Sequence, residues 1–172
     1  MEVKILITGG SGFIGTNLVQ YYSNKNITVL NIDIKKPRNI NHIDYFKRVD
    51  ICDKKELVDC MSEFRPSHII HLAARTDLDG SSLDDYKANT VGVSNMLEAI
   101  STVDSIVKTI FASSMLVCKA GYKPVNYGDY KPTTIYGESK AVSEEYIKAN
   151  LAISSNWNII RPTSIWGPWF GI

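Results

Sequence analysis

The sequence predicts an α/β fold in which a doubly wound parallel sheet carries helices on both faces. Three observations predict it. Short apolar runs alternate with segments of helical periodicity, a glycine-rich turn follows the first apolar run, and the composition is that of a globular domain, with 44% hydrophobic and 22% charged residues. Strands separated by helices form βαβ units, whose right-handed crossovers place helices on both faces of the sheet. A chain of 172 residues is long enough to bury a core of its own.

Strands are predicted where short apolar runs are bounded by polar or turn residues. These runs are Val3 to Ile7, Ile27 to Ile32, a weaker run from Tyr45 to Val49, Ile69 to Ala74, Val107 to Phe111 and Trp157 to Ile160. Between them, apolar residues spaced three and four apart predict four helices. The helices begin near Phe13, cover Leu57 to Phe64, span Leu83 to Ile100, and run from Tyr136 to about Leu151. The segment from Ser114 to Ile135 is predicted to be irregular, and a connection this long is usually functional.

Charge and cysteine content exclude several classes of protein. The net charge of +1 gives no electrostatic case for binding nucleic acid or an anionic membrane. No apolar run approaches the ~18 residues of a membrane span. Cys52, Cys60 and Cys118 are too few and too scattered for a disulfide framework or a zinc site. We therefore expect no metal, no membrane partner and a cytoplasmic location.

The run TGGSGFIG at Thr8–Gly15 follows the first predicted strand and opens the first predicted helix. It fits both GxGxxG and GxxGxxG. Glycines let the backbone turn tightly and approach a pyrophosphate, while the helix N-terminus offers N–H groups and the positive end of its dipole. Asp33 ends the second predicted strand, where a carboxylate can accept hydrogen bonds from the adenosine ribose. Together they predict a Rossmann-type dinucleotide-binding site.

Asp33 also favours NAD over NADP, because a carboxylate at that position repels a 2′-phosphate. Lys35, Lys36 and Arg38 follow closely and could bind such a phosphate, or could simply form a solvated basic loop. NAD is therefore the expected cofactor, with NADP as the alternative.

The run YGESK places Tyr136 and Lys140 four residues apart, on one face of a helix. A free tyrosine titrates near ~10, and a neighbouring ammonium favours its phenolate form. We therefore expect Lys140 to lower the pKa of Tyr136, so that Tyr136 can take a proton from a substrate hydroxyl. Ser113 and Ser114 end a predicted strand, where α/β sheets bind ligands, and a serine hydroxyl there could hold the reacting oxygen. A lone YxxxK run also fits a surface tyrosine beside a helix-stabilising lysine.

These motifs together resemble the extended short-chain dehydrogenase/reductase family, the NAD-dependent sugar-nucleotide epimerases and dehydratases. The resemblance extends over essentially the whole chain. It is carried by TGGSGFIG at Thr8–Gly15, Asp33, Asp50 and Ile51, HLAA at His71–Ala74, NTVG at Asn89–Gly92, Ser113 and Ser114, YGESK at Tyr136–Lys140, and RPTSIWGP at Arg161–Pro168. It implies an oxidoreductase or isomerase of nucleotide-sugar metabolism that passes hydride between the sugar, expected at C4, and the nicotinamide.

The resemblance also implies roles for individual residues. It implies Gly9, Gly12, Phe13, Ile14 and Gly15 at the pyrophosphate, Asp33 at the adenosine ribose, Asp50 and Ile51 at the adenine edge, Ala73 and Ala74 beside the centre of the cofactor, Lys140 at the nicotinamide ribose, and Asn89 as a structural or relay asparagine. Thr163 and Ser164 are implied near the nicotinamide and the substrate. Three alternatives stay open: Asp50 could cap the next helix, Arg161 could be only an ion-pair partner, and His71 could be a strand residue with a satisfied ring.

Ser114 is implied as the catalytic hydroxyl, because it lies four residues before Cys118, which holds the usual position of a family tyrosine. In 4,6-dehydratases an Asp-Glu pair follows the catalytic hydroxyl. Met115 and Leu116 stand there instead and have no proton to exchange. We therefore expect an epimerase or keto-reductase. A dehydratase-type member and a non-catalytic dinucleotide-binding sensor are the alternatives.

Members of this family also carry a separate substrate-binding lobe. The resemblance therefore implies that residues 1–172 form the NAD(P)-binding Rossmann domain, with the substrate lobe missing or truncated, and that this fragment alone turns over slowly or not at all. It further implies a nucleotide-sugar substrate and a homodimer. The dimer would pair the helix from Leu83 and the helix from Tyr136 with their copies as a four-helix bundle.

Overall fold

Six parallel strands form one sheet in the computed structural model, which describes residues 2–150 and 156–171. The strands are β1 (Lys4–Thr8), β2 (Thr28–Asp33), β3 (Phe46–Arg48), β4 (His68–His71), β5 (Lys108–Ala112) and β6 (Asn156–Ile160). Their order across the sheet is β3-β2-β1-β4-β5-β6, which confirms the predicted doubly wound fold. The order reverses between β1 and β4, and ligands of such sheets bind at the carboxyl ends of the strands beside that point.

Four helices cover the sheet in the described residues. They are α1 (Phe13–Ser23), α2 (Lys54–Phe64), α3 (Lys87–Ser101) and α4 (Ile135–Ala149). Two of these helices have a side-chain N-cap. The Asp53 carboxylate accepts a hydrogen bond from a backbone N–H of α2, and the Thr134 hydroxyl accepts one from a backbone N–H of α4. Leu151, the predicted end of the last helix, lies outside the described residues. Of the helices described, none is long and apolar enough to cross a membrane.

The core lies in two layers, one on each face of the sheet, because successive strand residues point to opposite faces. Leu6, Ile69 and Phe111 pack in the larger layer, with residues of α2, α3 and α4. Ile7 and Ile70 pack in the smaller layer, with residues of α1. The larger layer sets the spacing between the sheet and the helix that carries YGESK.

The predicted strand Ile69–Ala74 ends early, at His71. The N–H of Leu72 donates to the carbonyl oxygen of Thr8 at 3.1 Å, and the N–H of Ala73 donates to the Thr8 hydroxyl at 3.1 Å. The hydroxyl takes up a backbone donor that a longer strand would use in the sheet, so the chain leaves the sheet at this point.

The predicted helix from Leu83 is also divided. Its first turn is a 3-10 helix, Leu83–Tyr86, and α3 begins only at Lys87. The carboxylate of Asp85 accepts from the N–H groups of Ser81 and Ser82 at 2.9 and 3.1 Å, which fixes the tight turn before the α-helix. The predicted irregular segment from 114 to 135 is confirmed, with one short 3-10 turn at Met115–Val117.

Candidate functional site

The glycine turn lies at the carboxyl end of β1, beside the chain that leaves β4. Gly9 has a φ of +70°, in the region that favours glycine, and its N–H donates to the carbonyl oxygen of Ile32 at 2.9 Å. A Cβ on Gly9 would lie 2.7 Å from the backbone nitrogen of Ala73, and a Cβ on Gly15 would lie 2.3 Å from the Gly9 carbonyl oxygen. Both glycines are therefore required by the close packing of the turn itself.

Gly12 differs from these two glycines because its outer face is open. Within the described part of the chain, a Cβ on Gly12 would have one close neighbour, the Gly9 carbonyl oxygen at 3.2 Å. Gly12 is also the N-cap of α1 and makes no side-chain capping bond, so the N–H groups of Phe13 and Ile14 lie at a helix N-terminus without a side-chain cap. A diphosphate fits such a place, since the backbone supplies the donors and the helix dipole favours negative charge.

Asp33 lies next to this turn and is held by backbone donors on both sides. The N–H of Ser11 donates to its Oδ2 at 3.1 Å, and the N–H of Lys35 donates to its Oδ1 at 2.9 Å. Each carboxylate oxygen keeps a further lone pair, so Asp33 can still accept bonds from ribose hydroxyls. Arg38 donates to the carbonyl oxygen of Trp169 at 2.9 Å.

Asp50 lies beside Asp33, because the N–H of Val49 donates to the Asp33 carbonyl oxygen at 3.2 Å. The Asp50 side chain is not the cap of α2: it accepts from the N–H of Cys52 at 2.8 Å, while Asp53 caps the helix. The alternative role of Asp50 as a helix cap is therefore wrong. The residue is exposed, so its second carboxylate oxygen remains accessible to a ligand.

Ile51 and Asn89 are both buried. The Ile51 side chain packs against a helix, and the Asn89 side chain makes hydrogen bonds within the fold. A Cβ on Gly92 would lie 2.6 Å from Cδ1 of Ile51, so α3 packs directly on that side chain. The Asn89 amide donates to the carbonyl oxygen of Arg75 at 3.0 Å and to the Ser139 hydroxyl at 2.8 Å, and it accepts from the N–H of Arg75 at 2.8 Å. Of the two roles that the resemblance implies for Asn89, this geometry is that of a structural residue.

Ser114, Tyr136 and Lys140 come together at the carboxyl end of β5, and each has no more than 8% of its surface exposed. The Ser114 hydroxyl lies within hydrogen-bonding reach of the Tyr136 phenol. The ammonium of Lys140 donates to the carbonyl oxygen of Ala112 at 2.9 Å. Because an ammonium has three donors, two remain for a ligand.

The pKa values of this cluster differ from the sequence-based expectation. Burial raises the pKa of Tyr136, although its hydrogen bond with Ser114 acts in the opposite direction. Burial lowers the pKa of Lys140 to about 8, with the Glu144 carboxylate opposing that change. The expected lowering of the Tyr136 pKa by Lys140 is therefore wrong for the chain alone, since desolvation of the phenol dominates.

Gly137 explains how α4 reaches the Ser114 segment. A Cβ on Gly137 would lie 2.2 Å from the carbonyl oxygen of Leu116, so any larger residue would push the helix away. The Ser139 hydroxyl donates to the carbonyl oxygen of Tyr136 at 2.7 Å and holds the first turn of the helix. The glycine of YGESK thus brings the phenol and the serine hydroxyl together.

Glu144 organises a buried polar network next to Ser114, Tyr136 and Lys140. Its carboxylate accepts from the Ser113 hydroxyl at 2.6 Å, from the Arg161 guanidinium at 2.8 and 2.7 Å, and from the Tyr130 hydroxyl at 3.0 Å. Burial raises the pKa of Glu144, but the bonds from Arg161 and Ser113 outweigh it and keep that pKa below its ordinary value. The Ser113 hydroxyl therefore donates to Glu144, and it is the Ser114 hydroxyl that lies beside Tyr136. Arg161 is an ion-pair partner, as its alternative interpretation predicted.

His71 is buried at the end of β4. The Thr8 hydroxyl accepts from the N–H groups of Leu72 and Ala73, so its own hydrogen is directed to Nδ1 of His71 at 2.9 Å. Burial lowers the pKa of His71 to about 3, which makes the ring neutral at physiological pH. Nothing in the sequence marked Glu144 or the Thr8 hydroxyl as parts of the site. Glu144 carries one weak signal, its position four residues after Lys140 on the same helix face.

The strand order, the open glycine turn and the buried Ser114, Tyr136 and Lys140 are features of a Rossmann-type protein. The model of the NAD dependent epimerase/dehydratase family matches residues 5–171, and the chain belongs to that family.

Curated relatives of the chain carry names from the same family. A putative UDP-glucose 4-epimerase of Methanocaldococcus jannaschii is 34% identical over 95% of this chain and 56% of its own length. A probable dTDP-glucose 4,6-dehydratase of Sinorhizobium fredii is 32% identical over 86% of this chain and 49% of its own length. The chain therefore spans about half the length of the curated relatives it matches.

Among solved structures, the chain resembles the UDP-glucose 4-epimerase of Thermus thermophilus, crystallised as a complex with NAD. The two share 27% sequence identity and superpose with a TM-score of 0.77 over 92% of this chain and 54% of the other.

Proposed function

We propose that this chain is the NAD-binding and catalytic domain of a sugar-nucleotide epimerase or keto-reductase. The observation that carries the proposal is the meeting of Ser114, Tyr136 and Lys140 at the edge of the sheet where the open glycine turn lies. The family match and the relatives' names support a nucleotide sugar as the substrate. A separate substrate-binding lobe completes the site, in keeping with the greater length of those relatives.

The proposed cofactor residues lie along the carboxyl edge of the sheet, from Asp33 at the end of β2 to Ser114 after β5. The N–H groups at Gly12–Ile14 bind the diphosphate, and Asp33 accepts bonds from the adenosine ribose. Ala73 follows β4 and lies against Gly9, so Ala73 and Ala74 would border the centre of the cofactor, and Lys140 would direct its remaining donors to the nicotinamide ribose. The carboxylate of Asp33 selects NAD over NADP. When bound, NAD supplies the hydride acceptor and, in its oxidised form, a positive charge that favours the phenolate.

Tyr136 acts as the proton acceptor for the hydroxyl of the sugar carbon that is oxidised, expected to be C4. Its raised pKa keeps the phenol protonated in the chain alone, although Lys140 is already charged there, so the positive charge of a bound nicotinamide would be needed to favour the phenolate. Ser114 lies within hydrogen-bonding reach of the phenol and holds the reacting oxygen. In an epimerase the hydrogen returns to the other face of the sugar, whereas a reductase uses the same residues once.

The residues after Ser114 favour these two reactions over water elimination. Met115 and Leu116 form the 3-10 turn that follows the serine, and Met115 has 43% of its surface exposed. Neither side chain can give or accept a proton, which elimination from the sugar requires. An epimerase or keto-reductase therefore accounts for this part of the site better than a 4,6-dehydratase does.

We further propose that the protein forms a homodimer through α3 and α4. Both helices leave large apolar side chains exposed, with Val91 at 45% and Tyr146 at 46% exposure. Pairing with a second copy would bury that surface in a four-helix bundle. Sedimentation velocity should show a dimer, and a monomer at all concentrations would contradict this part of the proposal.

Calorimetry with NAD and with NADP tests the cofactor assignment, and NAD is expected to bind more tightly. Tighter binding of NADP would contradict the role given to Asp33. The Tyr136→Phe variant, made in a protein that also carries the substrate-binding lobe, tests the chemistry by nicotinamide absorbance with UDP-glucose or dTDP-glucose. Sugar oxidation should be lost while the affinity for NAD stays within about twofold, because the phenol oxygen is not a diphosphate ligand. Unchanged turnover in that variant would contradict the assignment of Tyr136.

A further inference from the structure

A buried amide in the second strand holds the glycine turn from beneath. Asn31 lies two residues before Asp33 on β2, so both side chains point to the same face of the sheet. Asn31 has no exposed surface. A polar side chain in such a place destabilises the fold unless it is hydrogen-bonded, so its presence calls for a physical reason.

The Asn31 amide and the Asp33 carboxylate clamp one residue of the turn. Nδ2 of Asn31 donates to the Ser11 hydroxyl at 3.1 Å, and the N–H of Ser11 donates to Oδ2 of Asp33 at 3.1 Å. Ser11 is itself 5% exposed. Its side chain and its backbone are thus both fixed by β2, one residue before the helix N-cap that faces the expected diphosphate.

The other end of the Asn31 amide lies against Gly10. A Cβ on Gly10 would be 2.3 Å from Oδ1 of Asn31 and 2.5 Å from its Cγ. Gly9, but not Gly10, has a φ in the left-handed region, so the backbone of Gly10 would accept alanine. The requirement for glycine at position 10 is therefore imposed by the Asn31 side chain.

We propose that Asn31 is a positioning residue for the NAD site, acting through Gly10 and Ser11 without touching the cofactor. The inference rests on the proposed binding of NAD at the glycine turn. Loss of the amide frees Ser11 and opens a gap under Gly10, so the N–H groups that meet the diphosphate are no longer held in place. Catalysis at saturating NAD depends on Tyr136 and Lys140 and should change little.

The test measures NAD affinity and thermal stability for Asn31→Ala, Gly10→Ala and the double variant. Asn31→Ala should weaken NAD binding about tenfold, the size expected when one buried hydrogen bond is lost. Thr109→Ala is the matched control, since Thr109 is a fully buried strand residue on β5, remote from the turn. It should leave the affinity for NAD unchanged, because its buried hydroxyl has no hydrogen-bond partner among the described residues and lies on a different strand from Asn31. If Asn31→Ala does not fold, Asn31→Ser gives the same test, because serine is too short to reach Ser11.

The double variant separates positioning from simple destabilisation. Gly10→Ala alone should weaken NAD binding, because its methyl group overlaps the amide. In the double variant the overlapping Oδ1 and Cγ are absent, so the loss of affinity should be smaller than the product of the two single losses. Multiplicative losses, or equal effects of Asn31→Ala and Thr109→Ala on NAD affinity, would overturn the inference. Failure of the unsubstituted protein to bind NAD would instead overturn the proposed function, and this inference with it.

Discussion

The glycine turn and the Ser114–Tyr136–Lys140 cluster are two halves of one candidate site, built in different ways. The turn consists of eight consecutive residues, and its proposed ligand donors belong to the backbone. The cluster depends on side chains that are far apart in the chain: the Ser113–Glu144 bond joins residues 31 apart, and the Asn89–Ser139 bond residues 50 apart. Substitutions in the turn should therefore mainly weaken NAD binding. Substitutions that break the contacts of the cluster should mainly lower the free energy of unfolding.

The largest effect is expected at Glu144. Glu144→Ala would leave the Arg161 guanidinium and the Ser113 hydroxyl without their buried partner, which should lower the free energy of unfolding by about 3–5 kcal/mol. Urea denaturation measures the change. Glu145→Ala removes an exposed carboxylate from the next position and should cost much less. Equal losses for the two variants would contradict the structural role of the network.

Gly12→Ala should have the opposite effect, large on binding and small on stability. The added Cβ faces open space apart from the Gly9 carbonyl oxygen at 3.2 Å, so the fold should tolerate it. It would occupy the space proposed for the diphosphate, and overlap of this kind should weaken NAD binding about a hundredfold, close to 3 kcal/mol. Calorimetry checks this, with Gly128→Ala in the exposed loop as the control. Unchanged affinity in Gly12→Ala would place the diphosphate elsewhere.

A smaller effect concerns the pH dependence of stability at Lys140. Its pKa is about 8 in the folded chain against 10.5 for the free side chain, so between these values the unfolded chain binds more protons and stability rises with pH. Below about pH 8 the lysine is charged in both states and the burial penalty is complete. Relative to Lys140→Met, the unsubstituted protein should gain about 2 kcal/mol between about pH 7 and pH 9.5. Parallel stability curves for the two proteins would show that Lys140 is not desolvated.

The difference between the glycine turn and the Ser114–Tyr136–Lys140 cluster also explains which features could be predicted from the sequence. The turn and Asp33 were predictable because glycine spacing and the strand ending at a carboxylate are local features. The choice of Ser114 came from the resemblance, and the structure supplies the physical reason, because Ser113 is bonded to Glu144. No local pattern reveals that bond.

The direction of the Tyr136 pKa could not be predicted from the YGESK run. The run places Lys140 nearby, but burial of the phenol depends on residues brought in by the fold, including Tyr86, whose ring centroid lies 6.1 Å away. The strand ending at His71 was missed for a related reason, since the Thr8 hydroxyl that ends it belongs to a neighbouring strand. Elements fixed by contacts within one segment were predicted well, and those fixed by contacts between segments were not.

A crystal structure of the protein with NAD would show whether the cofactor lies on the glycine turn and reaches Tyr136. We expect the diphosphate against the backbone N–H groups at Gly12–Ile14, the adenosine ribose on Asp33 and the nicotinamide ring beside the Tyr136 phenol. A cofactor bound away from the glycine turn, or a Tyr136 phenol turned into solvent away from the nicotinamide, would contradict it.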